Sequence, residues 1–259
     1  MLIGLFTGVL AGLLGIGGGV VFVPVLLTVL PLIGVDNSIV TVSAVATSLF
    51  AGSFASASSL FNHAKKNNVL LKEGLIFGFG TIISALIVPN IIVSINPEIL
   101  KVIISFFIFI VAVKLFFANS KTEVVARKVN TNWLFPLGIF FGGIASISGL
   151  GGGIFYVPIL YYFLQGDLKL SVGTSTIVIF LTMFSSTVSF ALLNNEWNSN
   201  IFQLGYLNVA SALLLGIGAI IGAYFGVKLI FKVPIPTFRR IFSVFLIVVV
   251  IKIMLGIKL

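Results

Sequence analysis

Two runs of three glycines, Gly17 to Gly19 and Gly151 to Gly153, interrupt otherwise apolar stretches, and in each case the next apolar stretch carries a pair of hydroxyls, Thr47 with Ser48 and Thr174 with Ser175. Glycine is a poor residue for continuing a helix. At membrane depth, backbone without helical hydrogen bonds is tolerated only where it is buried in protein or lines a watery cavity, so these triplets are expected to line something. The helix resuming after each run presents unpaired N–H groups and the positive end of its dipole, and the missing side chains let a ligand approach closely. Together these make an anion site. Hydroxyls early in the following helices can donate to an oxyanion without burying a charge; bonding back to their own helix is the competing use. None of the six acidic residues falls in the middle of an apolar stretch, so no buried carboxylate relay is evident. Outer glycines such as Gly4 and Gly8 have the small-xxx-small spacing of close helix packing.

Other chemistries fit poorly. From Gly15 or Gly149 a dinucleotide fingerprint needs glycine at Val20 or Ile154, and no lysine follows either run as a P-loop requires. The absence of cysteine removes thiolate metal sites and cysteine nucleophiles. An intramembrane serine protease needs a facing Ser and His, but Ser148 sits in SISG rather than GxSG, and the single histidine, His63, reads as an interfacial residue at a helix end. No catalytic residue, cofactor or metal site is expected. Pro24 and Pro158 read as kinks that also shape a cavity, and Lys114 and Lys252 as snorkelling side chains whose equivalent placement also suits attracting an anion.

The elements that must position these groups are membrane helices. Of 259 residues, 59% are hydrophobic and 8% charged, against roughly 25% charged in a soluble domain. Uncharged stretches such as 1–35, 37–64, 74–97 and 129–166 each reach the ~20 residues that a crossing helix needs. The net charge of +9 is concentrated between these stretches and reads as topology-setting loop charge, with no basic aromatic stripe for nucleic acid. No basic segment precedes the first apolar run, which is therefore expected to belong to the mature fold.

The chain is also a duplication. GLLGIGGGVVFVP (12–24) recurs as SISGLGGGIFYVP (146–158), ATSLF (46–50) as GTSTI (173–177), and GFGTIISA (78–85) as GIGAIIGA (216–223). An N-terminal repeat, 1–118, and a C-terminal repeat, 133–259, are joined by the polar linker 119–132. Equivalent loops carry opposite charge bias: His63, Lys65, Lys66 and Lys72 face only Glu196, while Glu98 and Lys101 face Lys228, Lys232, Arg239 and Arg240. That opposition predicts inverted repeats. The expected fold is an all-α integral membrane protein of two inverted repeats with about four helical elements each, the first element of each half broken or re-entrant at its triple glycine. Six full crossings are expected at 37–61, 73–95, 98–118, 169–193, 204–228 and 236–257, with both termini outside. A conventional eight-crossing bundle is the alternative.

The repeated glycine element ending in VP, the ATS and GTS blocks and the third glycine block resemble the TauE/SafE family of sulfite and organosulfur anion transporters over almost the whole chain. The resemblance implies a multi-pass permease of the cell (inner) membrane that moves sulfite, sulfonates such as sulfoacetate, or related anions by alternating access. Carried across, the substrate-binding residues are Gly17, Gly18, Gly19, Thr47 and Ser48 with Gly151, Gly152, Gly153, Thr174 and Ser175. Ala46 before Thr47 and Ser84 opposite Gly222 depart from the glycine pattern of the second half. The partners implied are a small anion and the bilayer, with a homodimer compatible; a passive anion channel is the alternative function.

Overall fold

A computed structural model of the chain describes residues 1–14, 18–117, 130–164, 167–193, 202–229 and 235–255. Gly17, most of the expected linker, Glu196 and Lys232 lie outside the described residues, as do the side chains of Lys114, Arg239, Arg240 and Lys252. The first half comprises α1 (Leu2–Leu14), α2 (Gly19–Leu32), α3 (Val40–Ala64), α4 (Leu71–Ile92) and α5 (Pro97–Phe117). The second comprises α6 (Leu134–Ser148), α7 (Gly153–Phe163), α8 (Leu168–Leu192), α9 (Val209–Leu229) and α10 (Ile235–Leu255). Among the described residues five helical stretches, at Val40–Ala64, Leu71–Ile92, Thr131–Ser148, Lys169–Leu192 and Val209–Lys228, are long and apolar enough to cross a membrane. α2 and α7, with 14 and 11 residues, reach only about 21 and 17 Å at ~1.5 Å per residue, short of the ~30 Å hydrocarbon core.

Five of the six expected crossings agree with the observed helices to within three residues at each end. The exception is α9, which starts at Val209 rather than 204 because Gln203–Leu204 pairs with Leu207–Asn208 in a minimal antiparallel hairpin. Gly205 turns it at φ 55°, and the Asn208 side chain caps the new helix by accepting from Ser211 N.

α3 and α8 form the centre. Both are lined with buried hydroxyls, among them Thr41, Ser43, Thr47 and Ser48 on α3 and Thr174, Ser175, Thr182 and Ser186 on α8. Each packs along a helix of the other half, running parallel to it. On α3 and α9, Thr47 meets Asn208, Ser58 meets Ile220 and Lys66 meets Val227. On α8 and α4, Thr174 meets Leu70 and Ser189 meets Leu86. α1 runs parallel along α9, with Gly4, Gly8 and Gly12 against the backbone of Leu215, Ala219 and Ala223. α6 lies along α4 in the same way, with Gly138 against Phe77 and Gly80 and Gly142 against Thr81. α5 packs against α10. Exchanging the two halves therefore leaves the pattern of pairing unchanged.

These registers sort the charges. Lys65, Lys66, Lys72, Lys169 and Lys228 gather at one end of the bundle with Glu73 and Asp167; Asp36, Glu98 and Lys101 stand at the other, the last two joined as an ion pair at 2.6 Å. Between the ends, large apolar side chains such as Phe79, Ile87, Phe106, Phe140 and Leu214 are exposed on the outer faces. In water such a surface would aggregate; facing lipid it is the expected covering.

Candidate functional site

The glycine breaks are built differently in detail. α6 stops at Ser148, Gly149, Gly151 and Gly152 take φ of 68°, 79° and 77°, and α7 restarts at Gly153. Three left-handed residues within four positions are accessible only because they lack side chains. In the first half Gly18 is the N-cap of α2, and the first amides to bond back to it are those of Val21 and Phe22. In the second half Phe155 and Tyr156 bond to the Gly152 carbonyl in the same way. A ring then folds under each cap: Phe22 beneath Gly18, and Tyr156, its repeat equivalent, beneath Gly152.

The two breaks touch. The Gly19 Cα faces the Gly149 carbonyl so closely that a methyl group there would lie on that oxygen and 2.6 Å from the Leu150 Cα. Ser48, from α3, donates to the same Gly149 carbonyl at 2.9 Å, and both are buried. Gly19, Ser48, Gly149 and Leu150 thus form one place where both halves meet.

The remaining predicted hydroxyls go elsewhere. Thr47 Oγ1 accepts from the Asn208 amide at 3.0 Å, and Thr174 Oγ1 accepts from the Leu70 amide at 3.0 Å, an identical bond at repeat-equivalent positions. Each secures the start of a crossing helix, α9 or α4. Ser175 donates to Val172 O within its own helix at 2.7 Å. Gly151 backs onto Met183, and a side chain there would run into the methionine methyl. Of the four predicted hydroxyls, Ser48 alone reaches a glycine break.

Four polar features escape a reading of the sequence. Tyr156 Oη and Thr182 Oγ1 share a buried hydrogen bond of 3.0 Å just below Gly152, and Ser146 and Ser186 share another of 2.8 Å. The available signal was a tyrosine in the block where the first half has Phe22. His63 is 2% exposed in the last turn of α3; among the described residues neither ring nitrogen has a hydrogen bond of normal geometry, although the Gly12 backbone approaches the ring. Asn208 is fully buried, and its Nδ2 has no hydrogen-bond partner among the described residues. Charge stays at the ends. There the Ser38 hydroxyl and amide both donate to Asp36 and hold its carboxyl below the usual carboxylate range. Among the described residues no group of three metal-ligating side chains forms. Among the described residues the centre holds neutral hydroxyls, backbone dipoles and glycines packed against neighbouring backbone and side chains.

The model of the family described as sulfite exporter TauE/SafE matches residues 1–253. The chain is 29% identical over 259 residues to a probable membrane transporter protein of Haemophilus influenzae, covering 98% of this chain and 97% of that protein. It is 30% identical over 244 residues to a probable membrane transporter protein of Methanocaldococcus jannaschii, covering 93% and 88%. No solved structure matches the chain.

Proposed function

The chain belongs to the sulfite exporter TauE/SafE family of membrane proteins and is a multi-pass membrane transporter rather than an enzyme; we propose that its cargo is a small sulfur oxyanion or sulfonate, such as sulfite or sulfoacetate, moved by alternating access between two inverted halves, 1–118 and 133–259. The carrying observation is the contact of Gly19 with the Gly149 carbonyl, bridged by Ser48. An anion seated there is recognised by the Ser48 hydroxyl and by helix-start amides of both halves, and separating the halves opens the seat to one side or the other. Gly18, Gly19, Gly151, Gly152, Gly153 and Ser48 line it. Gly17 is assigned to it by the repeat alone, and Thr47, Thr174 and Ser175 support the lining helices.

Inversion is supported by helix direction. α3 is parallel to α9 and α4 to α8, while α3 and α4, joined by residues 65–70, are antiparallel. Equivalent helices, α3 and α8 or α4 and α9, then run opposite ways. The lysine-rich end is the cytoplasmic one by the positive-inside rule. Cysteines introduced singly at Asn67 and Asn198 are expected to label from opposite sides, and labelling from one side rules out inversion.

Closure of the breaks on each other favours a carrier over an open channel. In proteoliposomes, labelled sulfite or sulfoacetate is expected to enter with saturation and trans-stimulation. Absence of flux with both, or large unsaturated currents, refutes the reading.

A further inference from the structure

At the lysine-rich end, α3 and α9 leave a groove between them on the outer face of the bundle. Its volume is 380 Å³. The floor is apolar: Phe61, Ile220 and Ile221 are exposed there, although Ser58 and Asn62 also line it. Those two polar side chains are already engaged, Ser58 donating to Ile220 O at 3.0 Å and Asn62 to Ser58 O at 2.7 Å. The groove itself therefore invites hydrocarbon.

Its mouth is cationic. Lys65 Nζ lies 4.2 Å above the Phe61 ring, and Lys228 Nζ lies 4.0 Å above the Tyr224 ring while donating to the Tyr224 hydroxyl at 2.5 Å. Lys65 and Tyr224 both line the groove, and Lys228 is bonded to Tyr224, so both ammonium groups stand at its mouth. Among the described residues no carboxylate pairs with either lysine; the ion pair present, Lys101 with Glu98, is at the opposite end. Two like charges held by aromatic faces at the mouth of one groove repel each other, and a single anion placed between them would relieve that repulsion.

An apolar floor leading from two lysines and a tyrosine at the membrane boundary matches a molecule with one anionic head and a hydrocarbon tail. We propose that this groove binds an anionic phospholipid, its phosphate between Lys65 and Lys228 with the Tyr224 hydroxyl and an acyl chain along Phe61, Ile220 and Ile221. The site lies on the outward faces of α3 and α9, while Ser48 and Thr47 face inward from α3. It therefore stands or falls apart from the identity of the transported anion. α3 and α9 belong to different halves, so the lipid ties one half to the other at the end where their separation would open the transporter.

The test is native mass spectrometry of the purified full chain, titrated with phosphatidylglycerol and with phosphatidylcholine of the same acyl composition. Wild type is expected to retain phosphatidylglycerol preferentially. K65Q and K228Q should each weaken retention roughly fivefold, corresponding to about 1 kcal/mol per basic residue at an anionic surface, and the double variant should fall to the phosphatidylcholine level. K65R/K228R should restore selectivity, and Lys101→Gln at the other end should leave it unchanged. These side chains are at the surface, and circular dichroism checks that each variant is folded. Equal retention of both lipids, or unchanged selectivity in the double variant, overturns the proposal. So does displacement of the lipid by millimolar inorganic phosphate, which would make the site one for free phosphate. A crosslink between two copies through cysteine at position 61 would identify a second chain as the occupant and overturn it equally.

Discussion

Replacing Gly19 by alanine adds one methyl group, and the structure puts that methyl on the carbonyl oxygen of Gly149, 2.6 Å from the Leu150 Cα and 2.8 Å from its carbonyl carbon. Ordinary carbon contacts are 3.5–4.0 Å, so relief needs a movement of about 1 Å between two stretches of backbone. Neither side can give by turning a rotamer. α2 is anchored by Phe22, Leu26 and Leu30, all buried, and Gly149 is held by Ser48. Overpacking of this kind costs on the order of 3 kcal/mol, and for a chain of this size it should lower the melting temperature by roughly 6–12 °C. The assay is thermal unfolding of the detergent-solubilised protein beside flux in proteoliposomes, with Gly143→Ala as the control, since a methyl there meets Val88 at an ordinary 3.6 Å. The contact between the breaks predicts a large fall in stability and flux for Gly19→Ala and little change for Gly143→Ala. Equal melting temperatures for the two variants would refute the contact and the site built on it.

Ser48→Ala removes the donor to the buried Gly149 carbonyl and is expected to cost about 1–3 kcal/mol and most of the flux, whereas Ser175→Ala, whose bond stays inside its own helix, should cost under about 1 kcal/mol; thermal unfolding of the pair compares them. Thr47→Val and Thr174→Val each strand a backbone amide, of Asn208 or Leu70, and should lose a similar amount of roughly 1–3 kcal/mol, with Thr→Ser retaining most of it; a loss confined to one of them would contradict the equivalence of the bonds. His63→Phe installs the residue that the second half carries as Phe190 and removes two buried ring nitrogens that have no hydrogen bond of normal geometry among the described residues. Its stability should rise by about 1 kcal/mol, and a clear fall in melting temperature would show that the ring nitrogens have partners.

The extents of most helices could be read because apolar runs end in charged loops, and the recurrence because three blocks repeat in one order. What could not be read was direction around each helix. Thr47 and Ser48 are neighbours, so on a helix they point roughly 100° apart; one faces α9 and the other the opposing break, and a motif written ATS hides that divergence. The register of α3 against α9 decides which hydroxyl reaches Gly149, and register is a property of the packed bundle. The late start of α9 was hidden for a similar reason: four paired residues turned by Gly205 are too few to show strand alternation.

The matched bonds Asn208 to Thr47 and Leu70 to Thr174 show how the duplication is used. Leu70 and Asn208 have nothing in common as side chains, yet both donate a backbone amide to the equivalent threonine. The symmetric framework is therefore carried by backbone and helix register, and the side chains filling it are free to differ, as Phe22 differs from Tyr156, Ser48 from Ser175 in its partner, and His63 from Phe190. For a transporter working by alternating access these two layers have different consequences. On the proposed alternating access between inverted halves, the shared backbone bonds bring the two half-open arrangements close in energy, because exchanging the halves exchanges one arrangement for the other. The unmatched side chains set the remaining difference. Making them match, as His63→Phe does at one position, should shift the balance between states while leaving the framework intact.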